Sequence, residues 1–94
     1  MATSFGTIGD VKRANHELGH HWFDADTLRF FRSRIGLELY GGRYFISSEA
    51  GPDRVRRFTV REAAASGAIT TVGGFQSHVS RAAAMAAIRE LLAS

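Results

Sequence analysis

The chain has no cysteine, one proline, one tryptophan and one lysine among its 94 residues. Without cysteine there is no disulfide framework and no thiolate metal site. No apolar run approaches the length of a membrane span, and the N-terminus lacks the apolar core of a secretory leader; this predicts a cytoplasmic protein. There is no internal repeat, no low-complexity run and no interior linker. Lysine is nearly absent because eleven of the twelve basic residues are arginine. Arginine suits planar, bidentate partners such as phosphate and carboxylate. The formal net charge of +3 permits nucleic-acid binding without demanding it. With 45% hydrophobic residues, the chain has material for one modest core, hence one domain.

The stretch Asn15-His16-Glu17-Leu18-Gly19-His20-His21-Trp22-Phe23-Asp24 holds the letters H-E-x-x-H. A zincin needs both histidines on one helical face, a glutamate acting on water and a third ligand further on. His16, Glu17 and His20 match, but the extended pattern fails: Phe23 stands where glycine is required and Asp26 where the third histidine is required. Only fifteen residues precede His16, short of the sheet that flanks a zincin cleft. Asp24-Ala25-Asp26-Thr27 with Leu28 and Phe31 reads instead as an N-cap and a new apolar helical face. If Asp24 caps a helix, Trp22 and Phe23 are extended, and His16 and His20 share no face. The expectation is a protein without catalytic residues, metal or cofactor, whose fold survives metal removal; a zinc hydrolase is the minor alternative. Ser77 and His78 lack an orienting acid for a nucleophile–base pair.

In chain order, residues 1–15 read as a loose N-terminal arm and residues 16–94 as a single α+β domain. Residues 25–34 predict a short helix that Gly36 ends. Leu37 to Tyr40, Gly41-Gly42 and Arg43 to Ser48 predict a hairpin with a two-residue turn, pairing Leu39 with Tyr44 and Leu37 with Ile46. Glu49 to Asp53 reads as a turn around Pro52. Arg54 to Glu62 alternates, with Phe58 and Val60 on one side and Arg57, Thr59 and Arg61 on the other. Ala68 to Phe75 is a further strand, with Gly73-Gly74 marking a bulge or a close approach. Ser80 caps a helix over residues 81–92, with Met85, Ile88 and Leu92 at helical spacing. The fold class is α+β: an antiparallel sheet of three to four strands, with a short N-terminal helix and a C-terminal helix on one face. A core of Trp22, Phe31, Phe58 and Phe75, closed by Met85 and Ile88, is expected.

Residues 20–88 resemble a family of small uncharacterised proteins of phages and related mobile elements, many from actinobacterial hosts. The resemblance rests on Trp22-Phe23, Asp26-Thr27-Leu28-Arg29-Phe30-Phe31, Ser33-Arg34, Tyr40, Tyr44-Phe45, Ser48-Glu49, Phe58-Thr59-Val60-Arg61 and Thr71-Val72-Gly73-Gly74-Phe75-Gln76. It implies a phage origin and the cytoplasm of a bacterial host, and it points to no function, since that family has no established biochemical activity. A local likeness links Thr71 to Leu91 with AP2 domains and integrase arm-type DNA-binding domains. Here the loop from Gln76 to Val79 is longer than in AP2 domains, and their strand tryptophans are missing.

Two readings of function lead. In the first, both helices cover one sheet face, and the open face presents Arg43, Phe45, Arg57, Thr59 and Arg61 to nucleic acid. The plain counterpart is a solvated face whose arginines pair with Glu38 and Glu62. In the second, a phage accessory protein binds and modulates a host protein by a sheet edge or an aromatic patch. A homodimer is a further candidate, and no membrane partner is expected.

Overall fold

The structure, a computed structural model, describes residues 5–30 and 32–93. Helix α1 (Ile8–Leu18) opens on a capping box: the Thr7 side chain accepts from the Asp10 amide at 3.2 Å, and the Asp10 carboxylate accepts from the Thr7 amide at 3.2 Å. Its inward face is Ile8, Val11 and Asn15, at helical spacing. Residues 8–15 of the region expected to be a loose arm therefore belong to a packed helix. Gly19 ends it in the left-handed conformation, φ 85°.

Helix α2 (Ala25–Phe30) starts where expected, with the Asp24 carbonyl accepting from the Leu28 amide at 3.0 Å. It is shorter than the predicted 25–34. Arg32 turns left-handed, φ 51°, and strand β1 (Ser33–Ile35) follows. Sheet pairing wins over helical propensity there, because Ser33, Arg34 and Ile35 lie opposite Glu49, Ser48 and Ser47 of strand β2 (Tyr44–Ala50). Strand β3 (Arg56–Ala63) pairs antiparallel with β2 and with strand β4 (Ile69–Val72), giving the order β1-β2-β3-β4.

The hairpin before β2 differs from expectation in register. Tyr40 pairs with Tyr44 across the three residues 41–43, with Gly41 and Gly42 both at positive φ. A three-residue loop shifts every partner by one. Leu37 does not face Ile46 and is almost fully exposed, while the Gly36 amide donates to the Ile46 carbonyl at 2.8 Å.

Helix α3 (Arg81–Ala93) is capped by Ser80, whose hydroxyl accepts from the Ala83 amide at 3.1 Å. It lays Ala84 and Ile88 on Tyr44, Ile46 and Val60, with Phe58, Val72, Met85 and Leu91 around them. The expected antiparallel sheet with an N-terminal and a C-terminal helix is thus present, and the fold is α+β. Its cover is two-sided, contrary to the expectation of helices on one face only. Phe45 points away from α3, and the rings of Trp22 and Phe23, in the segment joining α1 to α2, close on it at centroid distances of 5.9 and 5.8 Å. Of the expected aromatic core, Trp22 and Phe58 are half-buried, Phe75 is exposed, and Phe31 lies outside the described residues. Among the described residues, no helix is long and apolar enough to cross a membrane.

Asn15 ties this second layer to the sheet. Its amide nitrogen donates to the Gly67 carbonyl at 2.9 Å, and its amide oxygen accepts from the Trp22 amide at 2.8 Å. Gly67, in the β3–β4 turn, has φ 97° and abuts α1 so closely that an added Cβ would lie 2.6 Å from the Ala14 carbonyl carbon. Gly67→Ala is therefore expected to cost roughly 1–3 kcal/mol. Gly19→Ala, at φ 85° with open space around it, isolates the conformational part. Thermal melts of the two variants check this; equal losses would mean that the close approach at Gly67 is relieved without cost.

Candidate functional site

The face of the sheet turned towards Trp22 is polar at its centre. Alternation along β2 and β3 sends Phe45, Ser47 and Glu49, with Thr59 and Arg61, to this side, and all five are buried. A carboxylate and a guanidinium out of water require partners. Glu49 accepts from Thr59 Oγ1 at 2.9 Å and from Ser33 Oγ at 3.2 Å, and its carboxylate lies 3.7 Å from the Arg61 guanidinium. Arg61 donates through Nε to Ser47 Oγ at 3.0 Å, and through Nη1 to Thr71 Oγ1. Burial pulls the Arg61 pKa below its ordinary value, Glu49 opposes this, and the guanidinium stays charged at neutral pH. The loop after β4 closes the network: the Gln76 amide donates to Thr59 Oγ1 at 2.8 Å, and its side chain donates to the Glu49 carbonyl at 3.0 Å.

Two rings hold the guanidinium. The Arg61 carbon lies 5.2 Å from the Trp22 ring centroid and 5.3 Å from that of Phe75. Beside them is a cavity of about 320 Å³ lined by Trp22, Thr27, Leu28, Ser33, Arg61, Thr71 and Phe75. Phe75 also lines a shallower groove of about 550 Å³ with Phe30, Arg32, Arg54 and Gln76. Phe30 is 80% exposed and Phe75 49%. Arg32 and Arg54 are exposed too, each at positive φ in a turn. Chemically, the surface offers two aromatic rings, two outward arginines and one buried arginine already neutralised by Glu49.

The five residues expected to form an open nucleic-acid-binding face are not brought together on a surface. Phe45 and Thr59 are fully buried and present nothing to a partner. Arg61 is buried, with Glu49 and two aromatic rings against it, and lines the cavity. Arg43 is exposed, stacks on Tyr44 at 4.8 Å and lies 3.7 Å from Glu62. Arg57 pairs with Asp53 at 3.0 Å. The physical reason is the second layer: with Trp22 and Phe23 seated on Phe45, the face that alternation marks as polar is an interior.

Sequence reasoning missed Glu49, assigned to a turn, and Gln76, assigned to a link. The signal for Glu49 was present: Phe45, Ser47 and Glu49 keep the period of two, and a lone acid there answers Arg61 on the facing strand. Arg32 and Arg54 left no signal, since their placement depends on two left-handed turns.

The H-E-x-x-H letters do not fall on one helix. His16 lies in the last turn of α1, whereas His20 follows the Gly19 cap.

No curated protein and no solved structure matches the chain. Residues 7–89 match the Family of unknown function (DUF7447), which takes in both the polar cluster and the aromatic groove, and the chain belongs to that family.

Proposed function

We propose that the protein is a non-enzymatic binding module that takes a single-stranded nucleic acid along the groove between Phe30 and Phe75. The observation that carries this reading is the position of Phe75, which lines both the groove and the Arg61 cavity. Bases stack on exposed aromatic rings whatever their sequence, and arginines beside them take the phosphates. Phe30 and Phe75 supply the rings, and Arg32 and Arg54 the charge, on a chain of net charge +3. Duplex DNA keeps its bases stacked on one another, so it gains only the phosphate contacts.

Anisotropy of a short labelled oligodeoxythymidine tests this. Binding at low ionic strength should weaken linearly with the logarithm of salt concentration. Phe75→Ala and Phe30→Ala should each cost about 1–3 kcal/mol of binding. Arg32→Ala and Arg54→Ala should each reduce the salt slope by about 0.7. Arg43→Ala and Arg57→Ala, whose partners are Glu62 and Asp53, should change little. Absence of salt-sensitive binding, or binding indifferent to Phe75→Ala, sinks the proposal.

A protein partner is the second reading. What favours it is the β4 edge, which among the described residues pairs with β3 alone, and the concave surface beside it lined by Val60, Val72, Ala87 and Leu91. An added strand would find hydrogen-bonding groups and apolar contacts together there.

A further inference from the structure

We propose that His16, His21 and Asp24 form a binding site for a divalent transition-metal ion of the zinc class. Each offers one donor atom, and the three atoms lie within 4.8 Å of one another. The two imidazoles meet edge to face at a centroid distance of 5.1 Å, and His21 Nδ1 lies 3.3 Å from Asp24 Oδ2. This donor set shares only His16 with the H-E-x-x-H letters, which would take His16 and His20 as ligands and Glu17 as the base. It arises from the fold. Gly19 ends α1 directly after His16 has been placed on its last turn. His21 adopts φ 55°, which turns the chain back towards α1, and Asp24 stands at the start of α2.

The chemistry of the donors selects the ion. Two imidazoles and one carboxylate suit zinc, nickel or copper, whereas magnesium and calcium require oxygen shells. Tetrahedral zinc with bonds of about 2.0–2.1 Å holds its donors roughly 3.4 Å apart. All three side chains are exposed, so small side-chain rotations close the remaining gap, and water completes the fourth position. The ion would clip the end of α1 to the start of α2 across the segment that carries Trp22. That segment packs on Phe45 and Arg61, so the metal would stiffen the second layer without forming the fold.

The test is a calorimetric titration of the metal-free full chain with zinc chloride, paired with thermal melts. One zinc per chain is expected with micromolar affinity, and saturation should raise the melting temperature by at least about 4 °C. A chelator should remove that rise and leave the protein folded. His16→Ala, His21→Ala and Asp24→Asn should each weaken binding at least about tenfold, the lower bound even for an outer-shell partner. Asp24→Asn keeps a residue able to cap α2, so its loss would report the ligand. His20→Ala and Glu17→Gln should bind as the parent does. If these two weaken zinc as much as His16→Ala, the donor set is wrong. If the parent binds no more zinc than a His16→Ala/His21→Ala double variant, the site does not exist.

Discussion

Arg61→Ala is expected to lower unfolding stability by about 3–5 kcal/mol, because it strands the buried Glu49 carboxylate without its counter-charge. It also removes the cationic plate between Trp22 and Phe75 and two hydrogen bonds, to Ser47 and Thr71. A domain of this size holds roughly 5–15 kcal/mol in total, so the variant should sit near the edge of folding. Arg61→Lys should recover only part of the loss, since an ammonium cannot reproduce the planar fork. The buried pair need not be stabilising in itself. Glu49→Leu combined with Arg61→Met should cost less than Arg61→Ala alone, because neither charge is left alone in the interior. Urea midpoints at constant slope measure all three; a loss below about 1 kcal/mol for Arg61→Ala would place that side chain at the surface.

Phe45→Ala should cost about 3–5 kcal/mol. The ring is fully buried and is the platform on which Trp22 and Phe23 rest. Its removal leaves a cavity beneath Trp22, so the near-ultraviolet circular dichroism of that indole should diminish in the native state as well. Had the sheet face been open, the same truncation would fall within about 0.5 kcal/mol of neutral. The experiment therefore separates a two-sided sheet from a one-sided one by its magnitude alone.

Both predictions turn on the place where sequence reasoning and structure part. Alternation in β3 assigned Phe58 and Val60 to one side and Arg57, Thr59 and Arg61 to the other, and Ile46 and Val60 do meet α3. Ser80 and the alanine-rich run that follows gave α3 to within a residue of its end. What alternation could not say was whether the polar side faced water. Tyr44-Phe45-Ile46 carried a hint, since consecutive apolar residues in a strand mark cover on both faces. Helix α1 was legible too: Thr7 and Asp10 have capping-box spacing, and Ile8, Val11 and Asn15 recur on one face. Gly6 and Gly9 masked it. Strand β1 was not legible, because Ser33-Arg34-Ile35 lacks a pattern of its own and exists only by pairing with β2.

The candidate site divides in the same way. The buried half follows from complementary residues on facing strands: Glu49 with Thr59 and Arg61. The exposed half depends on the left-handed backbone at Arg32 and Arg54, which no local pattern announces. Arginine-rich composition pointed to anionic partners, but the strand arginines it suggested lie in ion pairs with Glu62, Asp53 and Glu49.

Trp22 is the only tryptophan and lines the cavity next to Phe75, so its emission reports directly on the claim that the aromatic–arginine surface is a binding site for single strands. Titration with a short oligodeoxythymidine at low ionic strength should change that emission saturably. The change should vanish on adding salt, be lost in Phe75→Ala, and be much smaller with duplex DNA of equal length. Emission that stays constant while the oligonucleotide binds would move the site elsewhere on the molecule; constant emission with no binding would contradict the nucleic-acid reading itself.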